Sequence, residues 1–371
     1  MPPIRVGFIG LSASGWAPGA HLPYLKNSDK YQIVAICNSS VESSKAAIAK
    51  YELPESTRAY GDPEELAQDK DVDLVVCSVR VDRHFPTISP SLKAGKNVFV
   101  EWPLGKNLAE ARELLRLKNE GGVGTAVVGL QGRQSPVVKK VKQLVDEGRV
   151  GKLLSSSWMG QGGNLGPTVH EGYSYLGNRK VGGNLMTIHF GHSIDYIQAA
   201  LGYGFTPAPK TLVTSRRTHQ KILSSAGAVV EEKHPITSDD TIFLNGTLST
   251  GIPLSLSLRG GKPFKDTPGL EWRIYGETGE IRITSSGPFL NVGYGDVKIA
   301  VFDFDAKEGE EVQVVEAEKD EFDGEEWGTA SRNVGRLYKE LSEGRINCSF
   351  EDAVERHELI DGMYKENGIV V

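Results

Sequence analysis

Two groups of residues in this chain have types and spacings that could do chemistry. The first is Gly10-Leu11-Ser12-Ala13-Ser14-Gly15, which follows the apolar segment Ile4–Ile9. A G-x-G-x-x-G loop between a strand and a helix cradles a dinucleotide. Its first glycine makes the tight turn, its second admits the pyrophosphate, and its third allows close helix packing. Ser12 stands at the middle position, so the fingerprint is imperfect. A serine hydroxyl can still donate to a phosphate, and backbone N–H groups at a helix start favour an anion whatever the side chain. Gly10, Ser12, Ala13, Ser14, Gly15 and Trp16 are therefore candidate cofactor contacts. An ordinary strand–helix turn with two glycines is the competing reading.

A ribose-reading carboxylate is expected at the end of the second strand, and the sequence has Asn38-Ser39-Ser40 there. Asn38 can hydrogen-bond a hydroxyl without repelling a 2′-phosphate as Asp would. No Arg follows directly, although Lys45 lies one or two turns on. NADP is thereby favoured over NAD, with dual use open; Asn38 as a simple helix cap fits the same fold.

The second group is His189, His192 and Asp195, three residues apart on an expected helix. Neighbours at that spacing can touch, so Asp195 can orient His192, and a neutral imidazole can serve as a base. A metal site is a weaker reading, because spacing alone does not make one; a histidine satisfied inside a packed helix is the structural alternative. Upstream, Tyr173 and Tyr175 lie in His170-Glu171-Gly172-Tyr173-Ser174-Tyr175 and offer hydroxyls for proton transfer, against the reading of a decorated loop. Arg133 follows a strand and faces either a ligand or a domain interface. Ser78, Val79, Arg80 and His84 follow another strand, where doubly wound folds line their cofactor; ion pairing competes as an explanation for the charged ones.

These groups need elements to hold them. Apolar runs Ile4–Ile9, Ile33–Cys37, Leu74–Ser78, Asn97–Glu101 and Gly124–Leu130 alternate with helical stretches near 41–51, 87–94 and 108–120. Continuous Val/Ile-rich strands separated by helices predict an α/β doubly wound parallel sheet covered on both faces. Beyond residue 150 the rhythm changes. A helix is expected over 185–201, then alternating strands at Thr241–Leu248, Pro253–Leu258, Glu271–Tyr275 and Glu280–Thr284, which predict a largely antiparallel open sheet. The charged stretch 306–326 is expected at the surface, and helices near 330–343 and 350–366 close the chain. The division is a Rossmann domain over 1–130 and an α+β substrate and dimerisation domain over 131–371, whose last helices can pack back on the first.

Composition narrows the function. The chain has 371 residues, 42 Lys and Arg against 48 Asp and Glu, and a formal charge of −6. A mildly acidic surface argues against nucleic-acid binding, which needs clustered cations. No 18-residue apolar run occurs, so no membrane span is expected, and the N-terminal residues lack a secretory pattern. Cys37, Cys77 and Cys348 form no C-x-x-C pair, which points to buried thiols, no metal site and a reducing compartment.

Several segments together carry a resemblance: Arg5–Leu11, Phe99-Val100-Glu101-Trp102-Pro103, Leu130-Gln131-Gly132-Arg133, Gly182-Gly183, Phe190-Gly191-His192 and Gly260-Gly261-Lys262-Pro263. The chain resembles the glucose–fructose oxidoreductase/inositol dehydrogenase family (Gfo/Idh/MocA), within it the fungal galactose-repressor branch, over nearly its whole length. The resemblance implies a Rossmann domain binding NAD(P), an open-sheet domain that forms homodimers, and sugar-like substrates. It implies that Glu101 neighbours the nicotinamide ribose, that Trp102 stacks on or closes over the ring, and that His84 and Gln131 belong to the cofactor contacts. Trp102 as core packing remains the alternative. In orthodox members the Glu-x-Pro segment is Glu-Lys-Pro, and its Lys works with an Asp and a His on the substrate alcohol. Here the Lys position is Trp102, the Asp position is Ile188, and only His192 matches.

Three functions are open, of which the first is the favoured expectation and the others are alternatives. One is an NAD(P)-dependent, cytoplasmic oxidoreductase for a small sugar-like alcohol or carbonyl, using His192 with Asp195 and Tyr175. The second is a non-catalytic, cofactor-sensing regulator that binds a transcription factor's acidic segment, with the nucleus as a further location. The third is an epimerase or lyase working through transient hydride transfer.

Overall fold

The computed structural model describes residues 2–13, 15–162, 165–324 and 326–371. The chain divides into two compact units. One comprises Met1–Gln131, Val181–Gly183 and Phe322–Asp361; the other comprises Gly132–Lys180, Asn184–Glu321 and Gly362–Val371.

The first unit is built on β1 (Ile4–Ile9), β2 (Tyr31–Cys37), β3 (Arg58–Tyr60), β4 (Leu74–Cys77), β5 (Asn97–Glu101) and β6 (Ala126–Gly129). They pair in parallel in the order β3-β2-β1-β4-β5-β6. Every residue of β4 and β6 is buried, as expected when helices cover both faces. Chain direction across the sheet reverses between β1 and β4, so their C-terminal ends open a crevice where such sheets bind ligands. Helix starts are fixed by side chains: Ser40 accepts from Ser43 N, Asp62 from Glu64 N and Asn107 from Glu110 N. The helix Thr329–Ser342 belongs to this unit and drives Tyr338 into its core. That ring stacks on Phe99 at 5.1 Å and on Tyr24 at 5.7 Å.

The second unit begins with β7 (Leu153–Gln161), β8 (Thr168–His170), β9 (Lys210–Thr214), β10 (His219–Leu223) and β11 (Val229–Pro235). It continues with β12 (Thr241–Thr247), β13 (Pro253–Arg259), β14 (Leu270–Gly276), β15 (Gly279–Ser285), β16 (Lys298–Asp303) and β17 (Val312–Val315). Eight of these form one sheet, β17-β16-β15-β14-β7-β13-β12-β9, and three form a small one, β11-β10-β8. The large sheet is antiparallel except where β13 runs parallel to β7. Alternation sorts its side chains. Trp158, Leu254, Leu256, Trp272, Ile274, Ile281 and Ile283 turn inward and are buried. Ser155, Ser157, Ser255 and Ser257 lie near the centre of the outer face with the exposed Met159; Ser157 pairs with Ser255 and Met159 with Ser257 across β7 and β13. Tyr275, Phe302, Phe243 and Leu212 lie exposed towards its margins.

Helix Gly191–Leu201 packs on the inner face through Tyr196, which receives the Trp158 indole N–H at 2.9 Å and donates to Pro288 O at 2.9 Å. The expected helix 185–201 is in fact two kinds of helix. Leu185–Phe190 is a π turn, begun by Asn184 accepting from Met186 N and Thr187 N, and it runs directly into the α-helix. Such turns recur at functional sites because they rotate the side chains that follow.

Among the described residues no helix is long and apolar enough to cross a membrane. The surface stretch 306–326 contains β17 and also the buried Phe322.

Candidate functional site

In the first unit, β1 is followed by Gly10, whose φ of +96° favours glycine. A methyl group there would stand 2.5 Å from Ser78 O and 2.5 Å from Val79 Cγ1. The ends of β1 and β4 therefore approach so closely that only glycine fits. Ser12, Ala13, Gly15 and Trp16 are exposed beyond it, while Ser14 lies outside the described residues. The loop's carbonyls are tethered on one side: Asn38 Nδ2 donates to Leu11 O at 3.1 Å and Tyr51 Oη to Ser12 O at 3.3 Å. On the other side of the Leu11–Ser12 peptide, the Ser12 N–H is given to Gly10 O at 3.0 Å, so the turn is braced at both of its polar edges. Gln131 is buried, and its Oε1 has no partner among the described residues. The exposed loop at the end of β1 and the orphaned polar atom of Gln131 both fit a dinucleotide.

Not every expected contact lies open to a ligand. Arg80 is exposed and paired with Asp82 at 2.6 Å. His84 is buried, with Nδ1 at 2.8 Å from Pro103 O and Nε2 at 3.0 Å from Val79 O. Burial holds its imidazole below the ordinary value. Glu101 is buried at the end of β5 with Oε1 at 2.7 Å from His21 Nε2, and His21 Nδ1 lies 2.8 Å from Tyr338 Oη. With the hydrogen on Nε2, His21 donates to Glu101 and accepts from the tyrosine. A Cβ on Gly129 would sit 3.0 Å from that carboxylate, so the neighbouring strand also has to be bare there.

Trp102, at the position where the resemblance places a lysine, is 4% exposed and packs against His357 of the last helix at 4.8 Å. His357 is 2% exposed, and its Nε2 has no partner among the described residues. Burial, with His84 nearby, lowers its imidazole to about 3. The position thus carries a neutral ring pair and no ammonium.

In the second unit, His192 and Asp195 are buried on helix Gly191–Leu201. The Asp195 carboxylate takes two hydrogen bonds from Arg133, at 2.9 and 2.8 Å, and the guanidinium also lies 5.1 Å from the Tyr203 ring centre. Spacing suggests that Asp195 orients His192; the structure adds Arg133 as a two-point partner of the same carboxylate. His189 stacks on Phe289 at 4.5 Å, and burial with the nearby His192 pushes it down to about 3. Ile188 is half-buried in the π turn. Tyr175 is half-buried in the turn Glu171–Gly177, whereas Tyr173 is exposed. Among the described residues no group of three or more His, Cys, Asp or Glu side chains is placed to hold a metal.

The sequence reading missed His21, Tyr338 and His357. Each is a single buried polar side chain, on a helix for Tyr338 and His357 and between two short helices for His21, with no motif around it. Only their later positions in the fold give them roles.

Residues 4–129 match the oxidoreductase family with an NAD-binding Rossmann fold, Gfo/Idh/MocA. Residues 136–285 match the C-terminal domain of Gal80p. The chain is 29% identical to the galactose/lactose metabolism regulatory protein GAL80 of Saccharomyces cerevisiae, over 98% of this chain and 93% of that protein. It is 32% identical to the dehydrogenase aclE of Aspergillus oryzae over 78% of each. The crystal structure of a super-repressor mutant of Gal80p from Saccharomyces cerevisiae superposes with a TM-score of 0.87 at 28% identity, covering 99% of this chain and 96% of that one.

Proposed function

This chain belongs to the Gfo/Idh/MocA family, with a second half of the Gal80p type, and on that premise we propose that it is a dinucleotide-binding regulator rather than a sugar dehydrogenase. One observation carries this reading: the place of the family's lysine is filled by the buried Trp102–His357 pair. Oxidising an alcohol requires its hydroxyl proton to be taken as hydride leaves. Trp102 cannot titrate, Ile188 cannot accept a proton, and Asp195 is engaged by Arg133. The similarity to a named regulatory protein over nearly the whole chain supports the same conclusion.

When bound, a nicotinamide dinucleotide supplies a hydride-carrying ring. In this reading the protein senses it instead of turning it over. The loop from Gly10 to Trp16, with Ser78, Val79 and Gln131, holds the diphosphate and nicotinamide side. Asn38 shapes the ribose side, and His84, Glu101 and Trp102 form the wall behind. The partner is an acidic activation segment of a transcription factor. A second copy of the chain covers the outer face of the large sheet, whose exposed apolar margin would otherwise meet water. The protein works in the nucleus as well as the cytoplasm.

The test combines two assays. Retention of an acidic activation segment, at low and moderate salt, should change on adding dinucleotide. A panel of polyols and sugars with NAD⁺ or NADP⁺ should give no absorbance change.

A second reading has its own support, since a relative of 32% identity is named a dehydrogenase and His192 is in place. There, His192 takes the proton of a sugar-like alcohol, with Asp195 orienting it and Tyr175 as a second hydroxyl. Turnover of a panel member, lowered at least about a hundredfold in His192→Ala, would favour this reading over the first.

A further inference from the structure

The arginines of the second unit fall into two sets. Arg133, Arg149, Arg179, Arg273 and Arg282 each hold a carboxylate. Arg216 and Arg217, in the turn between β9 and β10, pair with none among the described residues, and neither does Arg259 at the end of β13. Lys262 and Lys265, in the loop that leads on to β14, are exposed and likewise unpaired among the described residues. On a chain of formal charge −6 this corner is an unanswered cluster of cations. We propose that Arg216, Arg217, Lys262, Phe264 and Lys265 form the docking surface for an acidic peptide segment that carries large apolar side chains. The proposal rests on the regulator reading above and assigns its partner a place on this chain.

One buried residue brings the turn and the loop together. Asp240 Oδ2 accepts from Arg216 N at 2.8 Å and Arg217 N at 2.5 Å, and Oδ1 accepts from the Thr241 hydroxyl at 2.8 Å. Its carbonyl accepts from Gly260 N at 2.9 Å. Thr241, the next residue, pairs with Thr214 on β9 and with Arg259 on β13. The turn and the loop therefore leave the large sheet side by side at the same end. Asp240 binds the backbone of the two arginines, and their side chains are left exposed.

The loop is held in shape. The Arg259 guanidinium donates to Gly260 O at 3.1 Å, to Lys262 O at 3.2 Å and to Gln161 Oε1 at 2.5 Å. Phe264 O accepts from Thr267 N at 3.1 Å and from the Thr267 hydroxyl at 2.8 Å. Between these ties Phe264 is 77% exposed, more than any other aromatic side chain among the described residues.

A bare ring among unpaired cations has a definite complement. Carboxylates match guanidinium forks with charge-assisted hydrogen bonds. An apolar side chain from the same segment covers Phe264 and the lysine stems. A cationic segment is repelled, and a wholly apolar one leaves the charges unanswered. Single-stranded nucleic acid also carries negative charge, but it stacks successive bases on a series of aromatic rings, and this corner offers one.

The experiment follows the fluorescence anisotropy of a labelled synthetic peptide, Asp and Glu interspersed with Phe and Leu, on titration with the full chain. Binding is expected to weaken as salt is raised. Arg216→Gln combined with Arg217→Gln should weaken it about tenfold and flatten the salt dependence, the order that two exposed charge contacts carry. Phe264→Ser should weaken it about tenfold at every salt concentration, because the lost contact is apolar. Lys70→Gln combined with Lys93→Gln removes as much charge from exposed positions of the first unit and should leave the affinity unchanged. Every substituted side chain is exposed, so circular dichroism should match the parent throughout. Parent-like affinity in both corner variants, or an equal loss in the Lys70 and Lys93 control, would overturn this surface and leave the regulator reading standing. An oligonucleotide of equal charge that binds more tightly than the peptide through the same residues would overturn the choice of partner. A parent chain that binds no acidic peptide would overturn both readings.

Discussion

The indole of Trp102 and the imidazole of His357 lie 4.8 Å apart, centre to centre, at 43°. One ring comes from the end of a central strand and the other from the final helix. Together they fill with apolar surface a position that proton transfer would need wet and charged.

The packing of that pair should be visible in stability. Trp102→Ala is expected to cost roughly 3–5 kcal/mol, as large aromatic truncations in cores do, and Trp102→Phe clearly less. Urea denaturation measures both, and a parent-like midpoint for the alanine variant would show that the ring is not core.

Acid should weaken the protein through His357. Its imidazole titrates at about 3 in the folded chain and near 6.5 when unfolded. Between those values the unfolded chain holds a proton that the folded chain does not, so stability rises with pH across the window. The contribution is complete above about pH 6.5 and falls by about 1.4 kcal/mol per unit on acidification. Denaturation midpoints at falling pH should therefore drop less steeply in His357→Gln than in the parent.

The Arg133–Asp195 pair is 11% and 1% exposed at its side chains. Arg133→Ala strands a buried carboxylate and should cost roughly 3–5 kcal/mol. Replacing both residues by Met and Leu should recover most of that loss. Thermal unfolding of the two single variants and the double variant checks it; additive losses would mean that the residues are not coupled.

Gly10→Ala introduces a methyl group 2.5 Å from Ser78 O, at a φ of +96°. The variant should remain folded with a lowered melting temperature and lose dinucleotide quenching. A variant that titrates like the parent would place the ligand elsewhere.

The aromatic margin of the large sheet joins Tyr275 to Phe304 at 5.7 Å and Phe304 to Phe302 at 5.1 Å. Phe302→Asp should shift sedimentation from dimer to monomer while leaving circular dichroism unchanged. A parent protein that sediments as a monomer would refute this use of the face.

Most of the first half was legible because five of its six strands are largely apolar runs and several of its helices have side-chain caps; the short β3, Arg58-Ala59-Tyr60, has no such run and was missed. The strand Asn97–Glu101 and helix Leu108–Glu120 read from the sequence as they stand in the structure. The small sheet of the second unit was not legible. Its strands His219–Leu223 and Val229–Pro235 are rich in charge, and the latter is almost wholly exposed, so no apolar period marks them. The π turn was hidden too, since one residue of slip in a helix leaves no compositional trace. At the candidate site, local spacing pairs Asp195 with His192, but it gives no sign of Arg133, a partner of Asp195 that stands 62 residues upstream. Tertiary neighbours of that kind, like the His21–Glu101 contact across 80 residues, follow from topology and not from motif.

Along the middle of the outer face, the serines of β7 and β13 rise barely above the pleat. Whatever settles there meets a low plateau of hydroxyls around the Met159 thioether, groups that carry no charge and so exert little choice of charge. Discrimination falls to the strands beside it, where Arg273–Glu280 and Arg282–Glu271 fix alternating signs. An approaching surface must match that pattern before it can lie flat.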